Sequence, residues 1–369
     1  MLNDFVIVGG GVIGLMLARE LSQAGAGVTL IERGACAQES SWAGGGIVSP
    51  LYPWRYSDPI TALASLSQAA YPKLAAELLQ ETGIDPELRT EGALFLRVAD
   101  QAEALAWAQA QGKRMQVVDK AFLYDREPEA APHCESALWM PDTASIRNPR
   151  LGQALKRSLE LNPRVRLLEN TEIRALRIQD GEVLGVETAQ AVFSARKVIL
   201  ATGAWTGQLL SDLGIHSQIQ PVRGQMILFK AVPNLVRGVV LMDGRYVIPR
   251  ADGRILAGST LEYVGFDKQT CEEARLSLQE TAYRIIPALA DFPIEHHWAG
   301  LRPGSVDGIP WIGAVPGYQN LYINAGHFRN GLVLAPAAVR LLTETLLERP
   351  TSLDPAPYLP SARIQAAQP

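Results

Sequence analysis

The chain has 369 residues, of which 47% are hydrophobic and 20% are charged, a composition that suits about two globular domains or one large composite domain. Its 34 Lys and Arg against 38 Asp and Glu give a net charge of −4. This balance excludes a basic surface for nucleic acid and a polybasic membrane-binding segment. The three cysteines, Cys36, Cys134 and Cys271, form no C-x-x-C pair, so we expect neither a disulfide framework nor a metal site.

The N-terminal residues predict a strand–helix–strand unit. The apolar run 5–8 suits a strand buried on both faces, a helical pattern covers 15–22, and residues 28–32 form the next strand. The apolar stretch 5–18 is shorter than the ~20 residues that cross a bilayer, and no Lys or Arg precedes it. We therefore expect a cytoplasmic protein without a membrane anchor.

The rest of the chain alternates helices with short strands. We predict an irregular loop over 34–50 and a long helix with Asp58 as its N-cap and Gly83 just past its end. Further helices are expected over 100–112, from Asn148-Pro149 onward, over 268–286 and from about 330 to 348. Strands are expected over 92–98, 165–168, 173–178, 183–188, 192–193, 197–201 and 321–325, and between 218 and 260. The tail 350–369 is expected to be loosely ordered.

This order of elements predicts an α/β fold with an interrupted nucleotide-binding domain. Parallel-type strands occur at both ends and in the middle of the chain, with antiparallel meanders between them. We assign residues 1–84, 141–215 and 298–369 to the nucleotide-binding domain. An inserted, mainly antiparallel α+β substrate domain takes residues 85–140 and 216–297.

A glycine motif follows the first strand directly and opens the first helix. Gly9 permits the tight turn, Gly11 lets the backbone approach a pyrophosphate, and Gly14 lets helix and strand pack closely. The helix N-terminus offers unpaired N–H groups to phosphate. Glu32, at the end of the second strand, can accept hydrogen bonds from ribose hydroxyls and would repel a 2′-phosphate, which disfavours NADP. The sequence therefore predicts a dinucleotide site.

One such unit leaves two candidate cofactors. Either NAD acts as a co-substrate, or FAD is reduced directly by an organic substrate. The segment 40–46, Ser-Ser-Trp-Ala-Gly-Gly-Gly, favours FAD. Its small residues let the backbone lie against a large flat ring, and its hydroxyls can reach phosphate.

These segments and four later blocks resemble the D-amino-acid oxidase family of flavoenzymes. The blocks are Ala201–Trp205, Pro221–Gln225, Trp298–Pro303 and Gly326–Gly331. The resemblance implies a glutathione-reductase-type, Rossmann-like domain with noncovalent FAD. Related sarcosine oxidases attach flavin through a cysteine that residues 303–325 lack, and we interpret Cys36 as a small, partly buried side chain. The implied FAD-binding residues are Gly9, Gly11, Val12, Ile13, Gly14, Glu32, Arg33, Ser40, Ser41, Gly45, Gly46, Ile47, Ile173, Thr202, Gly203, His327, Phe328, Arg329, Asn330, Gly331, Leu332 and Val333.

The resemblance also implies a substrate site for a small amino acid. Arg302 matches the family's carboxylate-binding arginine, Tyr246 a tyrosine over the substrate, and Arg329 a second arginine near the flavin. A guanidinium fork grips a carboxylate through two charge-assisted hydrogen bonds. We nominate no catalytic base, because the amine is expected to lose its proton on binding, before hydride passes to flavin N5 and O₂ is reduced to H₂O₂. The resemblance is strongest to members that oxidise glycine and serve thiamine-thiazole synthesis.

Several alternatives stay open at this stage. The substrate can be sarcosine or a small D-amino acid, the electron acceptor can be a quinone, and a non-catalytic dinucleotide sensor uses the same fold. The bulky candidates for the pocket wall, Tyr246, Met226, Met242, Leu261 and Trp54, cannot be placed from sequence. Because relatives are often tetramers, we expect a homo-oligomer, with the thiazole synthase pathway as a possible partner and no nucleic acid.

Overall fold

Two β-sheets of eight strands each organise residues 3–363, the part of the chain that the computed structural model describes. The strands are β1 (Asn3–Val8), β2 (Val28–Ile31), β3 (Ala93–Leu96), β4 (Gln116–Asp119), β5 (Ser136–Met140), β6 (Val165–Leu168), β7 (Ile173–Gln179), β8 (Glu182–Thr188), β9 (Val192–Leu200), β10 (Gln220–Lys230), β11 (Val239–Met242), β12 (Arg245–Pro249), β13 (Arg254–Gly258), β14 (Ile294–Gly304), β15 (Trp311–Ala314) and β16 (Leu321–Ala325).

Helices cover the sheets and connect their strands. The α-helices are α1 (Val12–Gln23), α2 (Ser40–Ala43), α3 (Asp58–Thr82), α4 (Gln101–Ala110), α5 (Lys120–Arg126), α6 (Asn148–Glu160), α7 (Thr206–Ser211), α8 (Glu272–Ile285) and α9 (Gly331–Leu346). Short 3₁₀ turns occupy Pro53–Arg55, Gly203–Trp205, Pro287–Asp291, Phe328–Asn330, Ala356–Tyr358 and Pro360–Ala362. No helix described between residues 3 and 363 is long and apolar enough to cross a membrane.

The first sheet is built around five parallel strands, β16, β9, β1, β2 and β6. Its order is β15-β16-β9-β1-β2-β6, with β7 and β8 attached through β9. β1 pairs in parallel with β2 and with β9, so that Val8 lies beside Ile31 and Leu200. The apolar run of β1 is buried because α1 and α9 pack on one face of the sheet. The segments that follow β1, β2 and β9 therefore emerge at one edge, where ligands of such sheets bind.

The second sheet is mostly antiparallel, in the order β14-β10-β13-β12-β11-β3-β5-β4. The two longest strands, β10 and β14, pair along their length, while β3 and β11 form a parallel pair. This sheet takes strands from two separate parts of the chain, as the predicted insertion requires. The domain boundary that we predict at residue 298 falls inside β14, and we propose to move it to the end of that strand.

The predicted fold class is confirmed, and most predicted elements are present. The boundaries predicted for 165–168 and 321–325 agree with β6 and β16, and Gly83 ends α3 in the left-handed conformation at φ 72°. The N-caps are wrong by one residue, because Asp58 and Asn148 are the first helical residues of α3 and α6.

Other predicted elements need correction. The loop 34–50 contains α2, and the strands expected at 192–193 and 197–201 form one strand, β9, which pairs with β8 at its start and with β1 further along. Five elements were missed: β4, β5, β15, α5 and α7. β4 is a mostly exposed edge strand and carries little apolar pattern. In the tail, Tyr358 is buried and its hydroxyl donates to the carbonyl of Pro59 at 2.8 Å, so this part is packed; residues 364–369 lie outside the described residues.

Candidate active site

One cavity of about 420 Å³ brings together nearly all of the predicted site residues. It lies at the edge of the first sheet where β1, β2 and β9 end, and it extends to Tyr246 of β12 and Arg302 of β14. Of the residues predicted to bind cofactor or substrate, only Gly14 does not line it. A volume in this range is typical of small-molecule sites.

The glycine turn explains why Gly14 is absent from the cavity wall. Gly9 has φ +109°, which favours glycine, and a side chain there would overlap the carbonyl of Ala201 at the end of β9. A Cβ on Gly14 would overlap the carbonyl oxygen of Gly9. Gly14 therefore lets α1 approach the turn that leaves β1, and this contact aims the N-terminus of α1 at the cavity.

Two side chains hold this turn while they line the cavity. The Glu32 carboxylate accepts from the N–H groups of Gly10 at 2.7 Å and Gly34 at 2.9 Å, and Ser41 Oγ accepts from Val12 N–H at 2.8 Å. A carboxylate has about four acceptor positions, so Glu32 retains capacity for ribose hydroxyls. Its role is therefore wider than the sequence predicted, because it also fixes the turn.

The opposite wall is the segment 327–333, where a 3₁₀ turn leads into α9. His327, Asn330 and the nearby Asn324 are buried, and His327 Nε2, Asn330 Nδ2 and Asn324 Oδ1 have no hydrogen-bond partner within residues 3–363. Burial lowers the pKa of His327 to about 3. Buried polar atoms normally have partners. A bound group with donors and acceptors along its edge, as FAD has, would supply them here.

Ile173 and Trp205 also line the cavity, and the guanidinium of Arg33 lies 3.7 Å from the centre of the Trp205 ring. Trp205 belongs to a block quoted from the sequence, but it was not predicted to line the site. Gly44, Ala201 and Pro303 lie in segments quoted from the sequence but were not predicted to line the site. The remaining lining residues that were not predicted belong to none of those segments: Val8, Ile31, Glu39, Ser49, Leu51, Asn148, Thr171, Glu172, Arg174, Gln208, Leu209, Asp212, Ser259, Asn324 and Ala325.

Arg302 presents a positive charge that the protein leaves unneutralised. Its guanidinium donates from Nη2 to Ser259 Oγ at 2.8 Å and from Nη1 to the carbonyl of Thr260 at 3.1 Å. Within residues 3–363 it forms no ion pair with an Asp or Glu. Burial lowers its pKa, the positive charge of Arg329 adds to this effect, and Tyr246 and Glu262 oppose it. A guanidinium stays protonated in such a place, so the cavity attracts an anion.

Tyr246 and Arg329 complete the predicted substrate group. Tyr246 is buried, and its hydroxyl lies between two glycines, since a Cβ would come within 3.2 Å of it at Gly45 and within 3.0 Å at Gly258. Arg329 is exposed at the cavity. The direct roles of both residues toward a substrate stay predictions.

The structure places the five bulky residues that the sequence left open for the pocket wall. Only Tyr246 lines the cavity, whereas Met226 and Met242 are buried in the two cores of the second sheet. Leu261 is exposed, and the Trp54 indole donates to Asp100 away from the cavity. Alternation along a strand decides which face a side chain takes, and the sequence did not fix these registers.

Cys36 is more deeply buried than predicted. It is 4% exposed beneath the glycine turn, and burial, together with Glu169 and Glu32, raises its pKa to about 12. The thiol is therefore protonated and far less nucleophilic than a thiolate. This setting supports the interpretation of Cys36 as a packing residue.

The fold and the site define a flavin-dependent oxidoreductase. The cavity joins a dinucleotide turn, unpaired buried polar atoms and a free guanidinium, and these residues fit FAD with a small acid beside it. The profile of the family described as FAD dependent oxidoreductase (DAO) matches residues 4–345, and the chain belongs to this family. The resemblance inferred from sequence and FAD as the cofactor are both confirmed.

Individual relatives narrow the comparison. The chain is 50% identical over 365 residues to a glycine oxidase of Pseudomonas aeruginosa. This alignment covers 99% of this chain and 100% of the relative. It superimposes on the crystal structure of glycine oxidase from Geobacillus kaustophilus with a TM-score of 0.89 at 29% identity, covering 97% and 98% of the two chains. It is also 30% identical to the bifunctional protein ThiO/ThiG of Trichormus variabilis, over 95% of this chain and 53% of that protein.

Proposed function

We propose that the protein oxidises glycine to glyoxylate and ammonia with noncovalently bound FAD and O₂. The observation that carries this proposal is the buried guanidinium of Arg302 in the dinucleotide cavity, which is hydrogen-bonded to two neutral acceptors and paired with no carboxylate within residues 3–363. The similarity to glycine oxidases over nearly the whole chain supports the choice of substrate.

Arg302 binds the substrate carboxylate. Two charge-assisted hydrogen bonds stabilise such a pair by about 1.5–3 kcal/mol each. The Tyr246 phenol donates a further hydrogen bond to the carboxylate, and Arg329 at the exposed side of the cavity contributes positive charge. With the carboxylate fixed, the α-carbon of the amino acid has one orientation, and this alignment is a large part of catalysis.

The reaction breaks one C–H bond of glycine. The bound FAD supplies a hydride acceptor, and O₂ takes the two electrons onward as H₂O₂. The ammonium group loses one proton to solvent before this step, and the iminium that remains after hydride removal loses a second proton when water hydrolyses it. Formation of H₂O₂ from the hydride and O₂ takes up one of these two protons. Water then converts the imine to glyoxylate and ammonia, so that glycine, O₂ and H₂O give glyoxylate, NH₃ and H₂O₂.

The surroundings favour the neutral amine without a protein base. An ammonium group that leaves water for a buried site beside two arginines has a lowered pKa, because burial and like charge both disfavour its charged form. His327 does not compete for this role, since its pKa of about 3 leaves it a very weak base. The N–H groups at the start of α9 supply positive partial charge at the cavity wall.

In the cell, we propose that this activity supplies glycine imine for the thiazole of thiamine. The support is the similarity to one half of the bifunctional protein ThiO/ThiG. A cytoplasmic location and a homo-oligomeric state belong to the same proposal.

A substrate panel tests the function. Purified flavoprotein is supplied with glycine, sarcosine or D-alanine, and peroxide is measured in the steady state. We expect the highest kcat/KM with glycine. A clearly higher kcat/KM for sarcosine or D-alanine would show that glycine is not the preferred substrate. Anaerobic bleaching by glycine without peroxide formation in air would indicate a dehydrogenase with another electron acceptor, and a colourless protein that binds NAD would indicate a sensor.

A further inference from the structure

Arg302 lies over a residue that has no side chain. In the pairing of β10 with β14, Val222 is opposite Arg302 and Gly224 is opposite Gly300, so Arg302 and Gly224 are diagonal neighbours. Long side chains reach across such a diagonal. A Cβ on Gly224 would overlap Nη1, Nη2 and Cζ of Arg302. The guanidinium therefore occupies the volume that a side chain at residue 224 would fill.

The segment 259–262 closes the other side of this volume. After β13 ends, its backbone runs antiparallel to β10: Arg223 N–H donates to the Glu262 carbonyl at 2.8 Å, and Glu262 N–H returns a bond to the Arg223 carbonyl at 2.9 Å. The segment carries both acceptors of Arg302, Ser259 Oγ and the Thr260 carbonyl.

Polar contacts of a buried arginine fix this segment. The Arg223 side chain is 9% exposed and pairs with the half-buried Glu262 at 2.5 Å and with the exposed Asp267 at 2.6 Å. Thr260 Oγ1 accepts from Gln225 N–H at 2.8 Å, so the segment is tied to β10 on both sides of Gly224. Such a network holds its members in one arrangement when every partner is satisfied.

We propose that Gly224 is a positioning residue for Arg302, and that Gly224 and the segment 259–262 together form a seat that sets the angle of the guanidinium toward the substrate carboxylate. The inference rests on the proposed function, because it assumes that Arg302 binds a carboxylate. Because Gly224 has no side chain, the guanidinium can occupy the space above it. The Ser259 hydroxyl and the Thr260 carbonyl then fix the rotation of the guanidinium. The fork can then present its remaining N–H groups to the cavity without searching several rotamers.

Gly224→Ala tests the seat. Gly224 is an ordinary strand residue without positive φ, and the atoms that a methyl group would meet are the far end of a flexible side chain. The variant is therefore expected to fold and keep FAD while Arg302 is displaced. We expect acetate, a bare carboxylate titrated against flavin absorbance, to bind at least about tenfold more weakly, and the KM for glycine to rise by a similar factor.

Two further variants separate positioning from general damage. Gly304→Ala adds a methyl group to the same strand pair, and its three nearest atoms would belong to Val222, the Gln220 carbonyl and the Phe328 ring rather than to Arg302, so its acetate affinity should stay near that of the wild type. Ser259→Ala adds no volume and removes one acceptor, and it should weaken acetate binding by about threefold or more. An unchanged acetate affinity in Gly224→Ala would contradict the proposed role of Gly224. Equal losses of acetate affinity in Gly224→Ala and Gly304→Ala would contradict it as well.

The wild type separates this inference from the function on which it rests. If wild-type flavoprotein neither binds acetate nor oxidises glycine, the proposed function fails, and the seat fails with it. If the wild type does both and Gly224→Ala behaves identically, the function stands and only the seat is wrong.

Discussion

The cofactor end and the substrate end of the cavity are built in different ways. At the cofactor end, backbone groups dominate: the turn at Gly9, the N-terminus of α1 and the start of α9 form the wall, and Glu32 and Ser41 hold the backbone in place. At the substrate end, side chains from a second sheet dominate, above all Arg302. A backbone cradle tolerates exchange of most side chains, whereas the substrate end depends on individual groups. We therefore predict that substitutions at the cofactor end weaken FAD binding, and that substitutions at the substrate end impair glycine oxidation with FAD retained.

The largest effect is expected from Arg302→Leu, which removes the carboxylate anchor. We expect kcat/KM for glycine to fall by about 10²–10⁴, because up to two charge-assisted hydrogen bonds are lost. FAD content, measured by absorbance after gel filtration, should be unchanged. Arg254→Leu, which breaks a surface pair with Glu295 in the same sheet, is the matched control and should retain activity. Normal turnover in Arg302→Leu would show that the anchor is another residue.

A smaller effect, at the opposite end, is expected from Glu32→Ala. The change removes an acceptor for ribose and leaves the N–H groups of Gly10 and Gly34 without their partner, so FAD should bind about tenfold or more weakly. Fluorescence titration of apoprotein with FAD measures this, and the exposed Glu103→Ala serves as control. With FAD in excess, the KM for glycine should recover. Unaltered FAD affinity would contradict the role given to Glu32.

Tyr246→Phe tests the contribution of a single hydroxyl group at the substrate end. It removes one hydroxyl and keeps the ring that packs against Gly45 and Gly258, so the KM for glycine should rise about three- to tenfold with FAD retained. Tyr124→Phe loses a hydrogen bond of 2.8 Å from α5 to the Ala131 carbonyl, away from the cavity, and should leave KM unchanged. A Tyr246→Phe enzyme with wild-type KM would reduce this tyrosine to a packing role.

The smallest effect concerns pH and His327. Its folded-state pKa of about 3 lies below the unfolded value of 6.5, so below pH 6.5 the unfolded chain binds a proton that the folded chain excludes. The free energy of unfolding should therefore fall by about 1 kcal/mol between pH 7 and 5.5 through this residue alone. Urea unfolding at both pH values should show this loss reduced in His327→Leu and retained in the exposed His296→Gln. Equal pH dependence in wild type and His327→Leu would contradict the burial of a neutral ring.

The residues predicted for the cofactor end carry local signals in the sequence, whereas the setting of those predicted for the substrate end does not. The glycine turn, Glu32 and the segment 327–333 are local signals, because each lies directly after a strand or before a helix, and the structure brings them to one edge. The setting of Arg302 depends on an acceptor 42 residues away and on Gly224 across a strand pair. Such long-range register carries no local pattern, and for the same reason the sequence could not place Met242, which is buried in a core.

The path of the chain between the sheets has a consequence for how this protein can change. β1 and β2 belong to the first sheet, β3–β5 to the second, β6–β9 to the first, β10–β14 to the second, and β15 and β16 to the first again. A single recombination point anywhere between β1 and β16 therefore divides the first sheet. Neither sheet can therefore be exchanged with that of a homologue as one continuous gene fragment. Substitutions and loop insertions do not divide a sheet, and they are the simpler routes to a new substrate.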